Sequence, residues 1–145
     1  MPPSHCESPA ARRDGRPLNT VRVCFDPAGL RPFIANWEAL AAAHVQQLHR
    51  EMLADPRAEA ARALLDELMS FPGVPFAWRR FDPAADIPPL LPLDLKKGQL
   101  RATFLSSFTS FSMPHNATEL GLRIECMYPA DAGTDAFARA LAAEG

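Results

Sequence analysis

Long apolar runs are missing from this chain, and none of its 145 residues falls in a stretch approaching the ~20 that a membrane helix needs. Residues 1–16 also lack the apolar centre of a secretory signal, so a cytoplasmic protein with no membrane partner is expected. Neither sign of charge dominates. Fifteen Lys and Arg against 17 Asp and Glu leave a net charge of -2, which offers no broad attraction to nucleic acid. Cysteine is scarce, and the three present, Cys6, Cys24 and Cys126, are odd in number and widely separated. That pattern supports neither a disulfide framework nor a zinc knuckle and leaves free thiols. No phosphate cradle of the G-x-G-x-x-G or Walker type occurs and no cofactor is implied.

What is present is an ordinary globular composition, 48% hydrophobic and 22% charged. One domain of this length buries roughly two-thirds of its unfolded surface. Residues 1–17 hold four prolines and the basic cluster Arg12, Arg13 and Arg16, and read as a disordered leader or linker before a domain at 18–145. The basic cluster lacks interleaved aromatic residues for base stacking, so direct nucleic-acid contact is not expected.

Asn19 is placed to cap a short helix through Phe25, which Asp26-Pro27-Ala28-Gly29 stops. From Pro32 onward, Trp37, Leu40, Ala41, His44, Val45, Leu48 and Met52 recur at helical spacing. Asp55-Pro56 then starts another helix with Ala61, Leu64, Leu65 and Leu68 inside, ended by Phe71-Pro72-Gly73. Residues 74–81 predict one or two further helical turns anchored by Phe76, Trp78 and Phe81, and Asp82 to Pro89 links helices to sheet. Leu90 to Leu95 reads as a strand, with Lys97-Gly98 in a tight hairpin turn.

Gln99 to Met127 reads as two long antiparallel strands around a turn at Pro114 to Ala117. Residues 118–128 alternate cleanly, with Leu120, Leu122, Ile124 and Cys126 opposed to Glu119, Arg123 and Glu125. In residues 99–112 the apolar positions fall in two phases, which predicts a bulge near Ser106 and Ser107. The resulting apolar face would carry Phe104, Phe108, Leu120, Leu122 and Ile124. Asp131 caps a last helix whose Phe137, Ala140 and Leu141 pack back on the sheet.

Catalytic chemistry finds little support. His44 and His49, five apart on one helix, diverge by about 140° and cannot chelate one ion. His49 is expected in solvent and His44 on the apolar stripe. Ser106, Ser107, Ser110 and Ser112 lie in a strand without a Gly-flanked elbow. Glu119, Arg123 and Glu125 suggest a solvated charge ladder. The apolar sheet face opposed by helices bearing Trp37, His44 and Leu48 is either filled core or a pocket for an apolar ligand.

Two stretches carry a resemblance. Phe25-Asp-Pro-Ala-Gly-Leu-Arg-Pro-Phe-Ile-Ala-Asn-Trp37 resembles the segment aromatic, x, Pro, x, Gly, Leu, x, Pro, x, Ile, x, Asn of the MmyB-like ligand-binding domain of XRE-family helix-turn-helix transcription regulators. Gly98 to Pro114, Thr118 to Glu125 and Tyr128-Pro-Ala-Asp131 are similar to that family's closing strands and lead into a final helix. The resemblance implies an α+β, PAS-like effector domain, its antiparallel sheet of at least three strands covered on one face by helices. It further implies a cavity for a fatty-acid-like or other small hydrophobic ligand, and no enzyme activity. The lining expected is Trp37, His44, Leu48, Phe104, Phe108 and Leu122, with His44 as a polar handle for a carboxylate or carbonyl. Relatives carry a DNA-binding helix-turn-helix and a β-hairpin with a Trp-Asn pair before the segment like Leu18 to Trp37. Neither is found before Leu18, so the expectation is a domain truncated at its N-terminus, without DNA contact of its own. Its open sheet edge would invite a homodimer. The alternative is a protein-interaction or dimerisation fragment with a filled core and no ligand.

Overall fold

The structure, a computed structural model, describes residues 19–111 and 122–144, with side chains outside 108–111 and 122–124. The expected leader and the turn at Pro114 to Ala117 lie outside the described residues. The chain divides into two compact units at 85/86, within the proline-rich link from Asp82 to Pro89. The class is α+β: the described residues form four α-helices and a three-stranded antiparallel sheet, consistent with a PAS-like fold.

The first unit is helical. Asn19 caps α1 (Thr20–Phe25), its side-chain oxygen accepting from the Arg22 N–H at 3.0 Å. Asp26 then turns the chain by accepting from the Ala28 N–H, and Leu30 donates back to the Val23 carbonyl at 2.9 Å. Gly29 is required there because a Cβ would stand 2.6 Å from the Val23 oxygen.

The helix expected from Pro32 is interrupted. Arg31–Phe33 form one 3₁₀ turn, Ile34 is extended, and α2 runs Trp37–Ala54. The predicted start at Asp55-Pro56 is also corrected. Asp55 closes α2 and its carboxylate accepts from the Arg57 N–H, so α3 begins later, at Glu59–Ser70. α2 packs on α1 and α3 around Phe25, Val45 and Leu68, each fully buried. Arg22 of α1 grips Glu67 of α3 with two parallel hydrogen bonds, 2.6 and 2.8 Å.

Phe76–Arg79 form a second 3₁₀ turn, in which residues three apart eclipse. Trp78 lies 6.1 Å from Trp37 and Phe81 6.2 Å from His49, while Phe76 stands 81% exposed beside Arg79 and is not the expected anchor. His49 is corrected too. It is 5% exposed, with Nε2 donating to the Trp78 carbonyl at 2.9 Å, and the Gln46 amide oxygen accepts from the Asp82 N–H.

The second unit is β1 (Leu91–Lys97), β2 (Leu100–Phe111) and β3 (Leu122–Pro129), in the order β1-β2-β3, with α4 (Ala132–Glu144) against β2 and β3. Gly98, at φ +58°, opens the two-residue hairpin turn as expected. The predicted bulge is absent, since both ladders keep one register along all their pairs. β1 pairs with residues 100–106 of β2 and β3 with residues 104–111. Even-numbered Ala102 and Ser106 are buried while odd-numbered Thr103, Leu105 and Ser107 are half-buried. A strand partly covered on both faces has no single phase, and that produced the mixed pattern.

Register also corrects the expected apolar face. Phe104 and Phe108 stand opposite Pro129 and Glu125, whereas Leu122, Ile124 and Cys126 stand opposite Phe111, Thr109 and Ser107. Period-two alternation assigns these sets to opposite faces; Leu120 lies outside the described residues. Glu125 is half-buried and accepts from the Ser106 hydroxyl at 2.8 Å, so it is not part of a solvated ladder.

Asp131 caps α4 as expected, accepting from the Thr134 N–H at 2.8 Å. The helix is fastened by Thr134, 1% exposed, whose hydroxyl accepts from the Thr103 N–H, and not by Leu141, which is 53% exposed. Ala140 is likewise exposed, and Phe137 half-buried.

Leu68→Ala should cost about 2–5 kcal/mol in urea unfolding, because its site is sealed. Half-buried Leu64→Ala should cost no more than about 1 kcal/mol.

Candidate functional site

The segment from Phe25 to Trp37 bends twice, at the Asp26 turn and at the Arg31–Phe33 turn, and this folds its ends together. The Trp37 indole N–H donates to the Cys24 carbonyl at 3.0 Å, and its ring meets Phe25 edge-on at 5.8 Å between centroids. Trp78 lies 6.1 Å away on a tilted plane. Above the indole sits the Arg31 guanidinium, 3.8 Å from the ring centroid. Arg31 Nη1 donates to the Pro72 carbonyl just beyond α3, so one side chain ties the loop before α2 to the end of α3.

Pro27, Arg31, Pro32, Trp37, Pro72 and Gly73 line an open cleft of about 480 Å³ at this corner. Its walls are apolar rings and its lining contains a single charged group, Arg31. Gly73 is built into the wall by its conformation. Its φ is +75°, and a Cβ there would stand 3.0 Å from Arg31 Nη2. The lining residues are Pro, Gly, Trp and Arg, with no Ser, Cys, His, Asp or Glu among them.

Of the expected lining residues, Trp37 is at the cleft. His44 and Leu48 continue its stripe along α2 as buried residues, 8% and 3% exposed. Phe104 is half-buried in β2, and Phe108 and Leu122 are placed by register only, on opposite sets of the sheet. Sequence reasoning missed Arg31, Pro32, Pro72 and Gly73 as a group. The Pro and Gly residues carry turn signals, and nothing in their spacing reveals that two turns 41 residues apart meet through Arg31.

Among the described residues no three His, Cys, Asp or Glu side chains are grouped to hold a metal ion, and Cys24 and Cys126 are free thiols. No described helix is long and apolar enough to cross a membrane.

Against known families, the model of the MmyB-like transcription regulator ligand binding domain matches residues 6–141. The match begins inside the stretch read as a leader and spans both compact units. No curated protein and no solved structure matches the chain.

Gly73→Ala should destabilise the protein by about 1–3 kcal/mol, through the strained φ and the crowding of Arg31. Thermal unfolding followed by circular dichroism would measure it.

Proposed function

Because the chain belongs to the family of MmyB-like transcription regulator ligand binding domains, we propose that it senses a small hydrophobic or fatty-acid-like molecule on behalf of an XRE-type regulator. The family match along residues 6–141 is the observation that carries this reading. It is supported by the cleft at Trp37, which offers apolar rings and no reactive group. The role is therefore binding and not catalysis, exercised in the cytoplasm. DNA contact is assigned to a helix-turn-helix elsewhere in the regulator.

Trp37 is the ligand contact in this reading. His44 and Leu48, the buried continuation of its stripe, convey occupancy to the packing between α2 and α3. Phe104 and Phe108, of one phase of the sheet, and Leu122, of the other, remain separate proposed contacts of the second unit. Ligand binding shifts the population of DNA-competent states by its difference in affinity for them.

A second reading is a self-pairing or protein-interaction module without a ligand. It is favoured by Met127 and Tyr128 of β3, which are 45% and 52% exposed. Sedimentation separates the two, since the first expects a monomer and the second a dimer.

Native mass spectrometry after mild purification should reveal the chain with a retained apolar molecule, or with added dodecanoate at micromolar concentration. Failure to retain or take up any lipid would contradict the sensing role.

A further inference from the structure

Three described arginines of the first unit and α4 have carboxylate partners. Arg22 grips Glu67, Arg79 reaches Asp66, and Arg139 pairs with Asp135. Arg31 differs. It is half-buried, and among the described residues it pairs with no Asp or Glu. Its Nη1 is committed to the Pro72 carbonyl and its flat face to Trp37. That leaves the Nε and Nη2 donors, and glycine at position 73 keeps a Cβ from crowding Nη2. A cation held in place in an apolar cleft, oriented by two partners and lacking a counter-ion, is organised to receive an anion.

We propose that Arg31 is the specificity-determining residue of the cleft and selects a monocarboxylate with an apolar body. The carboxylate takes the open edge of the guanidinium, and the body lies across Trp37 and the proline rings. The cleft is widely open to solvent, so a chain or a small ring system would lie along it and not be enclosed. His44, the handle suggested by the sequence, is a poorer candidate. It is 8% exposed on the buried stripe of α2, and a carboxylate would have to shed its water to reach it. The proposal rests on reading the cleft as the ligand site.

Calorimetric titration of the full chain with dodecanoate and with dodecan-1-ol, both below micelle-forming concentrations, tests it. The expected preference for dodecanoate over dodecanol is about tenfold, and Arg31→Gln should reduce that ratio to about twofold or less. His44→Gln should leave the preference intact. A preference that survives Arg31→Gln, or that disappears only in His44→Gln, overturns the proposal. Equal binding of both probes by the unaltered chain overturns the role of Arg31 but leaves the apolar cleft standing; binding of neither overturns both.

Because Arg31 also ties Pro72 in place, a second measurement uses the unaltered protein. Phenylglyoxal labelling read by peptide mass spectrometry should fall at Arg31 about fivefold with dodecanoate, an ion-pairing effect that dodecanol lacks. Labelling of exposed Arg57 and Arg62 should not change. Equal labelling of Arg31 with and without dodecanoate contradicts the assignment.

Discussion

The hydrogen bond from the Trp37 indole to the Cys24 carbonyl sets the corner on which the helical unit depends. It joins the end of α1 to the start of α2 across thirteen residues, so the intervening chain has to double back. The Asp26 turn and the 3₁₀ turn at Arg31–Phe33 accomplish that, and Gly29 allows the close approach to Val23. Arg31 then lies over the indole and reaches the end of α3. A cleft remains because proline rings form its walls: they are rigid, apolar and unable to fold across the indole.

A further set of polar contacts fixes the chain after α3. Gln46, His49 and Arg50 of α2 bond to the backbone of Asp82, Trp78 and Ala85 respectively. These contacts satisfy backbone groups of an irregular segment that no regular ladder serves. Trp78, held by His49, lies beside Trp37, so the segment supports the aromatic floor of the site. In the second unit the equivalent fastening is Thr134, buried and bonded to Thr103 at the head of α4.

Regular periodicity was readable where one face is buried and the opposite face is wet. The α2 stripe of Leu40, Ala41, His44, Val45 and Leu48 and the α3 stripe of Ala61, Leu65 and Leu68 are buried as their spacing predicts. Caps at Asn19 and Asp131 and the Gly98 turn were also legible, because their local chemistry leaves few alternatives. β2 was misread because both of its faces are partly covered, so no single alternation describes it. His49 was assigned to solvent because a polar side chain that serves a distant backbone looks, in sequence, like one that serves water. At the candidate site Trp37 could be found from its motif, while Arg31, Pro72 and Gly73 became a site only through contact between distant turns.

The central claim is that the corner around Trp37 is where the family's ligand is received. Hydrogen exchange of the full chain, read by peptide mass spectrometry with and without dodecanoate, locates the occupied surface directly. Slower exchange in the peptides spanning residues 28–37 and 71–74 is the predicted result. Unchanged exchange in both, or protection confined to residues 91–107, would contradict it.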